Sequence, residues 1–261
     1  MNKRMVQAVA AGAIIGTLGG LIGLGGAEFR LPVLIGLFGF VALHAVILNK
    51  SMSLVVVAAA LVFRTKAVPF EAIAAHWPVV VNLLAGSLLG AWFGAGWATR
   101  MRHQTLYKVI SGLLLLIAVA LIAEHWLPRQ GEPLLTGAAQ WVAGVVAGFG
   151  IGVVASLMGV AGGELLIPTL VLLFGADIKL AGSLSLAVSL PTMIVGFTRY
   201  SRDRSFEVLG QNKQFVLVMA AGSLVGAAIG GLMLGIVPAA VLLPSLSAIL
   251  VISAFKTWRH P

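Results

Sequence analysis

A chain of 261 residues that is 60% hydrophobic and only 10% charged, with a mean hydropathy of +1.06, has too little polar surface to fold as a water-soluble globule. The net charge of +9 does not indicate nucleic acid as a partner, because the lysines and arginines lie at the ends of apolar runs, where the positive-inside rule places them. The absence of cysteine excludes disulfides, thiolate metal sites and cysteine nucleophiles.

The apolar runs have the length of membrane-spanning helices, about 20 residues. They predict an all-α polytopic membrane protein that is embedded in the lipid bilayer. In the first half the runs are 5–24, 27–43, 44–63, 78–98 and 109–123, with a polar loop at 64–77. In the second half they are 138–160, 164–174, 180–197, 215–234 and 238–255, with a charged loop at 199–213.

The two halves are related by an internal repeat. Shifting the chain by 136 residues places 148–175 over 12–39, and twelve of the 28 aligned positions are identical. The same shift aligns AGSLLGA at 85–91 with AGSLVGA at 221–227. A shift that persists over this distance indicates a duplication. We therefore divide the chain into repeat A (1–126), a polar linker (127–137) and repeat B (138–261).

Each repeat opens with a glycine-broken helix pair: a helix, a short unwound turn and a second, shorter helix. Unwound backbone leaves polar groups that lipid cannot satisfy, so it is expected only against protein or a ligand cavity. Matching broken segments in two repeats are the best indication of a transporter's binding site. The candidate substrate-binding residues are Gly23, Gly25, Gly26, Glu28, Arg30, Asn49, Gly159, Gly162, Gly163, Glu164 and Ser185.

The number of times each repeat crosses the bilayer depends on whether its broken helix pair crosses once or twice. If each crosses the bilayer once, a repeat has four spans and the repeats are parallel; if each crosses twice, a repeat has five and the repeats are inverted. Residues 100–108 carry three cations and their equivalents at 236–241 none, whereas 199–213 carry four against two at 64–77. Opposite charge bias in equivalent loops favours inverted repeats and ten crossings over eight.

Two carboxylates are the most informative charged residues. Glu28 and Glu164 occupy equivalent positions in the first turn of the short helices. A carboxylate within a membrane span costs about 3 kcal/mol and is a functional candidate. Both residues are candidates for proton coupling, and the alternative is that they only complement the helix dipole.

Two cations break the symmetry of the repeats. The equivalents of Arg30 and Lys50 are Leu166 and Leu186. Arg30 is a candidate counter-charge for an anion or for Glu28. For Lys50 we hold two interpretations, contact with an anion and snorkelling to the membrane interface. For the serines of the helix that follows each broken pair, cavity lining and bonding to their own helix are both open.

The doubled glycine turn followed by Pro-x-Leu, GLGGAEFRLPVL and GVAGGELLIPTL, with GSLLGAWFG and GSLVGAAIG behind it, resembles the sulfite exporter TauE/SafE family of membrane transporters. The resemblance covers nearly the whole chain. It implies a multi-pass protein of the bacterial inner membrane that moves sulfite, sulfonates or related small anions. The chain departs from the usual pattern at Glu28, where the first motif is commonly aliphatic, and at Ala161, which replaces a glycine.

Together these observations predict a secondary transporter for a small anion that alternates access between its repeats, with a proton as a candidate coupling ion. The alternatives are an anion channel and a non-transporting helical scaffold. We predict no enzyme activity, catalytic residues, metal site or cofactor. The sequence is also compatible with a homo-oligomer.

Overall fold

The computed structural model describes residues 2–22, 26–64, 70–124, 133–233 and 239–259. These ranges are mostly helical and contain no β-strand, which confirms the predicted all-α class. The helices are α1 (Lys3–Ile22), α2 (Ala27–Gly36), α3 (Ala42–Arg64), α4 (Phe70–Ala75), α5 (Trp77–Arg100), α6 (His103–Glu124), α7 (Gly137–Met158), α8 (Gly163–Phe174), α9 (Ile178–Tyr200), α10 (Glu207–Gln211), α11 (Lys213–Leu232) and α12 (Ala239–Trp258).

Among the described residues, seven helices are long and apolar enough to cross a membrane, namely α1, α3, α5, α6, α7, α9 and α11. In contrast, α2 has ten residues and α8 has twelve. At 1.5 Å per residue these two are about 15 and 18 Å long, roughly half of a bilayer's hydrocarbon thickness. They are therefore half-helices, as the broken segments predict.

The two loops predicted at 64–77 and 199–213 differ from the structure. The first contains α4, and the second contains a 3₁₀ helix at Arg204–Phe206 followed by α10. The Asp203 side chain caps the 3₁₀ helix by accepting a hydrogen bond of 2.9 Å from the Ser205 amide. Hydropathy missed these segments because it identifies the part of a chain that lies in hydrocarbon, whereas helical hydrogen bonding continues into polar surroundings.

Helix positions repeat at the shift seen in the sequence. The helices α8 and α9 begin 136 residues after α2 and α3. Glycines with a left-handed backbone recur at the same shift, with φ of 72° at Gly26 and 81° at Gly162, and φ of 71° at Gly39 and 65° at Gly175. This agreement is compatible with a duplicated fold.

The closest helix pairs join one repeat to the other. A Cβ added to Gly12 would overlap the backbone of Met219, and one added to Gly20 would overlap the backbone of Ala227. The helices α1 and α11 are therefore parallel and in backbone contact, as small residues permit.

The helices α5 and α7 form the corresponding pair. Gly86 meets the backbone of Val145, and Gly94 meets that of Val153, so these helices also run parallel. The helix α5 also contacts α9: Ser87 hydrogen-bonds Thr192 at 2.7 Å and, toward the ends of both helices, Gly96 lies against Arg199, so α9 is parallel to α5.

The helices α6 and α12, which the 136-residue shift aligns, run in opposite directions where they meet. Ser247 of α12 donates a hydrogen bond of 3.2 Å to the carbonyl oxygen of Ala118 on α6. Nearer the start of α6, the Lys108 ammonium lies 5.7 Å from the ring centre of Trp258, at the end of α12. The helices α6 and α12 are thus antiparallel.

One end of the bundle collects most of the positive charge. The Arg4 guanidinium lies 5.3 Å from the ring of Phe40 and 5.6 Å from that of Phe215, so α1, α3 and α11 all begin here. We call this the basic end; its cations are Lys3, Arg4, Arg100, Arg102, Lys108, Arg199, Arg202, Arg204, Lys213, Lys256 and Arg259. At the opposite end, where α7 and α9 begin, the described charges include Glu71, Asp177 and Lys179.

Candidate functional site

The candidate site is built where the two half-helices begin. Gly26 and Gly162 are the residues that precede α2 and α8, and both need the left-handed backbone that glycine adopts without strain. A Cβ at Gly26 would lie 2.5 Å from the carbonyl oxygen of Ile15, so the turn folds back against the middle of α1. Neither helix start has a side-chain cap, which leaves backbone amides directed at the site.

The two glutamates meet at this point. Glu28 is 0% exposed and Glu164 is 3% exposed, and their carboxyl groups lie within hydrogen-bonding reach of each other. Both oxygens of Glu28 and Oε2 of Glu164 are buried and accept no hydrogen bond. Two ionised carboxylates have no proton to donate, so their contact becomes a hydrogen bond only when one of them is protonated. The two carboxyl groups therefore form a buried pair at the starts of the two half-helices.

Asn49 connects the two broken helix pairs. From α3, its Nδ2 donates to the carbonyl oxygen of Ala27 at 2.9 Å and to that of Met158 at 3.2 Å. Ala27 begins the half-helix of repeat A, and Met158 ends the long helix of the broken pair in repeat B. The Oδ1 atom of Asn49 is buried without a hydrogen-bond partner.

The equivalent helix of repeat B uses a different residue. Ser185, which the shift aligns with Asn49, donates to the carbonyl oxygen of Gly182 in its own helix at 2.9 Å. Ser189, one turn later, reaches the broken segment and donates to the carbonyl oxygen of Ala161 at 2.8 Å. The sequence did not separate these two serines, because a hydroxyl is too short to reveal its partner by position alone.

The other glycines of the candidate set lie where the sequence places them. Gly159 ends α7 with a φ of 68°, and a Cβ there would overlap the carbonyl oxygen of Val46 on α3. Gly163 is the first residue of α8. Gly23 and Gly25 lie outside the described residues.

Arg30 belongs to the same buried cluster. It lies on α2 two residues after Glu28, its exposed fraction is 0%, and it interacts electrostatically with that glutamate. A buried cation at the start of only one half-helix makes the site asymmetric, since the equivalent residue is Leu166.

Lys50 does not snorkel to the membrane interface. It is 0% exposed, and its Nζ donates to the carbonyl oxygen of Ala155 at 3.2 Å and to Oγ of Ser156 at 3.5 Å. Tyr200 donates to the carbonyl oxygen of Ser156 at 2.8 Å. A Cβ at Gly196 would lie 2.9 Å from Cε of Lys50, so this glycine leaves room for the lysine. Packing between α3, α7 and α9 therefore encloses the amine.

The comparisons with known proteins agree with the motifs. The family model described as Sulfite exporter TauE/SafE matches residues 8–257. No curated protein and no solved structure matches the chain.

Proposed function

The chain belongs to the sulfite exporter TauE/SafE family, a family of membrane transporters, and from this we propose that it is a secondary transporter for a small anion such as sulfite or a sulfonate. The observation that supports this most directly is the contact of Glu28 with Glu164 at the starts of two half-helices, one from each repeat. Half-helix termini that meet near the centre of a bundle are a recurrent form of transporter binding site.

Alternating access is supported by the direction of the helices. The antiparallel contact of α6 with α12, which occupy matching positions of the sequence repeat, is what inverted repeats would produce. Inverted repeats can exchange conformations, and this exchange opens the same site to either side of the membrane. The cross-repeat pairs α1 with α11 and α5 with α7 are close enough to move as rigid units.

Membrane orientation follows from the basic end. Cytoplasmic loops carry an excess of lysine and arginine, so the basic end is proposed to face the cytoplasm. Each repeat then crosses five times, with its half-helix as a short crossing, and both ends of the chain are cytoplasmic. Crossing only four times per repeat would place residues 136 and 201 on the same side; crossing five times places them on opposite sides.

Cysteine labelling distinguishes these topologies, because the chain has no native cysteine. We expect a membrane-impermeant maleimide to label Thr136→Cys in intact spheroplasts, and Ser201→Cys only after permeabilisation. Both native residues are exposed in the structure. Labelling of both variants, or of neither, in intact spheroplasts would contradict the ten-crossing arrangement.

Buried cations provide the attraction for an anion. Arg30 is proposed to balance Glu28, and the amine of Lys50 to interact with the substrate as it passes between α3 and α9. The helix N-termini add partial positive charge from their free amides. An anion can occupy the site without repulsion when the carboxyl pair is protonated and neutral, which is how binding would be coupled to a proton.

Lys50→Met tests the role of the amine. Methionine has a similar length and no charge, so we expect the variant to stay folded, with a melting temperature equal to or above that of the wild type, because a buried charge no longer has to be desolvated. Stabilisation by sulfite or a sulfonate in a thermal shift assay should be lost. Lys179→Met is the control, because Lys179 is exposed on α9, and it should respond to anions normally.

Transport itself is tested in proteoliposomes. Saturable uptake of labelled sulfite, accelerated by unlabelled sulfite inside the vesicles, is expected of a carrier. Flux without counterflow would favour a channel, and the absence of flux for a panel of sulfonates and small carboxylates would favour the scaffold interpretation.

A further inference from the structure

A cavity of about 140 Å³ lies at the basic end, away from the carboxyl pair. It is lined by Trp92, Phe93, Gly96, Trp97, Arg100 and Arg199. The lining includes two guanidinium groups and no carboxylate. This composition, together with two indole rings, is suited to an anionic group that lies at a membrane interface.

The arginines beside the cavity are held by one aromatic ring. The guanidinium of Arg199 lies 5.6 Å from the ring centre of Trp92, and that of Arg202 lies 4.8 Å from it. Both distances are within the range of cation–π attraction. A Cβ at Gly96 would lie 3.3 Å from Nη2 of Arg199, so the glycine leaves the space that this guanidinium occupies.

The cavity borders the lipid-facing surface. Phe93 and Trp97 are 50% and 47% exposed, and Leu89 continues the same side of α5 toward the bilayer centre with 57% exposure. Tryptophan is enriched where a membrane protein meets the headgroup region. A ligand with its charge in the cavity would therefore lay an apolar tail along α5.

We propose that this cavity binds the headgroup phosphate of an anionic phospholipid, with its acyl chains along the exposed face of α5. Basic pockets between membrane helices on the cytoplasmic side bind such headgroups, and the exposed apolar face makes a lipid a better fit than a free phosphate ion. The assignment is independent of the transported solute, because none of the lining residues belongs to the carboxyl site.

Native mass spectrometry of the purified full-length chain tests this site. Protein in detergent is titrated with dioleoylphosphatidylglycerol, with dioleoylphosphatidylcholine and with inorganic phosphate. We expect the wild type to retain phosphatidylglycerol in preference to phosphatidylcholine. Arg199→Gln and Arg100→Gln should each weaken retention about fivefold, the effect of one basic side chain near an anionic lipid. Arg204→Gln, an exposed arginine of the following loop, should retain the lipid as the wild type does.

Three results would overturn the assignment. One is equal retention of the two lipids by the wild type. Another is an equal loss in Arg204→Gln, which would indicate a diffuse effect of surface charge. The third is displacement of phosphatidylglycerol by inorganic phosphate at matched concentration, which would identify a free anion as the occupant. Arg100 is exposed at the end of α5, so its variant preserves the test if Arg199→Gln does not fold.

Discussion

Replacing Glu28 and Glu164 together by glutamine is expected to abolish anion transport driven by a pH gradient, while exchange of anion for anion at equal pH is retained. Glutamine has nearly the same size as glutamic acid and is permanently neutral. The variant therefore resembles the protonated pair, which accepts the anion, but it has no proton to release. Net transport of the anion coupled to a pH gradient requires the carboxyl pair to release its proton, whereas exchange of one anion for another does not.

The measurement is sulfite uptake into proteoliposomes with and without an imposed pH gradient. Glu71→Gln is the control, because Glu71 is an exposed carboxylate on α4, outside the site. The two single variants are measured alongside the double variant, and a melting curve establishes that each is folded. Unchanged acceleration by the gradient in the double variant would exclude proton coupling through this pair.

The second large effect is expected on stability, at the contact of α5 with α7. Gly152→Val introduces side-chain atoms where the structure has the backbone of Ser87, which cannot move without separating the helices. Overpacking of this kind costs about 1–3 kcal/mol, and more where the obstacle is backbone. We therefore expect Gly152→Val to lower the melting temperature strongly or to prevent accumulation in the membrane.

Gly150→Val is the matched control for this substitution. It lies two residues earlier on the same helix, and nothing lies within 4 Å of its added Cβ. The intrinsic helix preference of valine acts equally in the two variants, so the difference between them reports packing alone. Equal melting temperatures in detergent would mean that α5 and α7 are not in backbone contact.

Much of the fold could be predicted from the sequence because a bilayer permits few kinds of backbone structure. Lipid requires long apolar helices, so hydropathy located nearly every span. Glycine is needed wherever the backbone is left-handed or two helices touch, so the paired breaks at Gly26 and Gly162 stood out in the sequence. The equivalent positions of Glu28 and Glu164 identified both as candidates, although their contact was not implied by the repeat.

The sequence by itself determined that this is a helical membrane protein of the TauE/SafE family, with two broken segments and a carboxylate at each. Only the tertiary structure decided that the carboxylates meet, that Asn49 joins both repeats and that Lys50 is enclosed rather than drawn to the interface. The physical reason is that hydropathy and backbone preference act locally along the chain. The partner of a buried polar group depends instead on which helices pack together and in which direction.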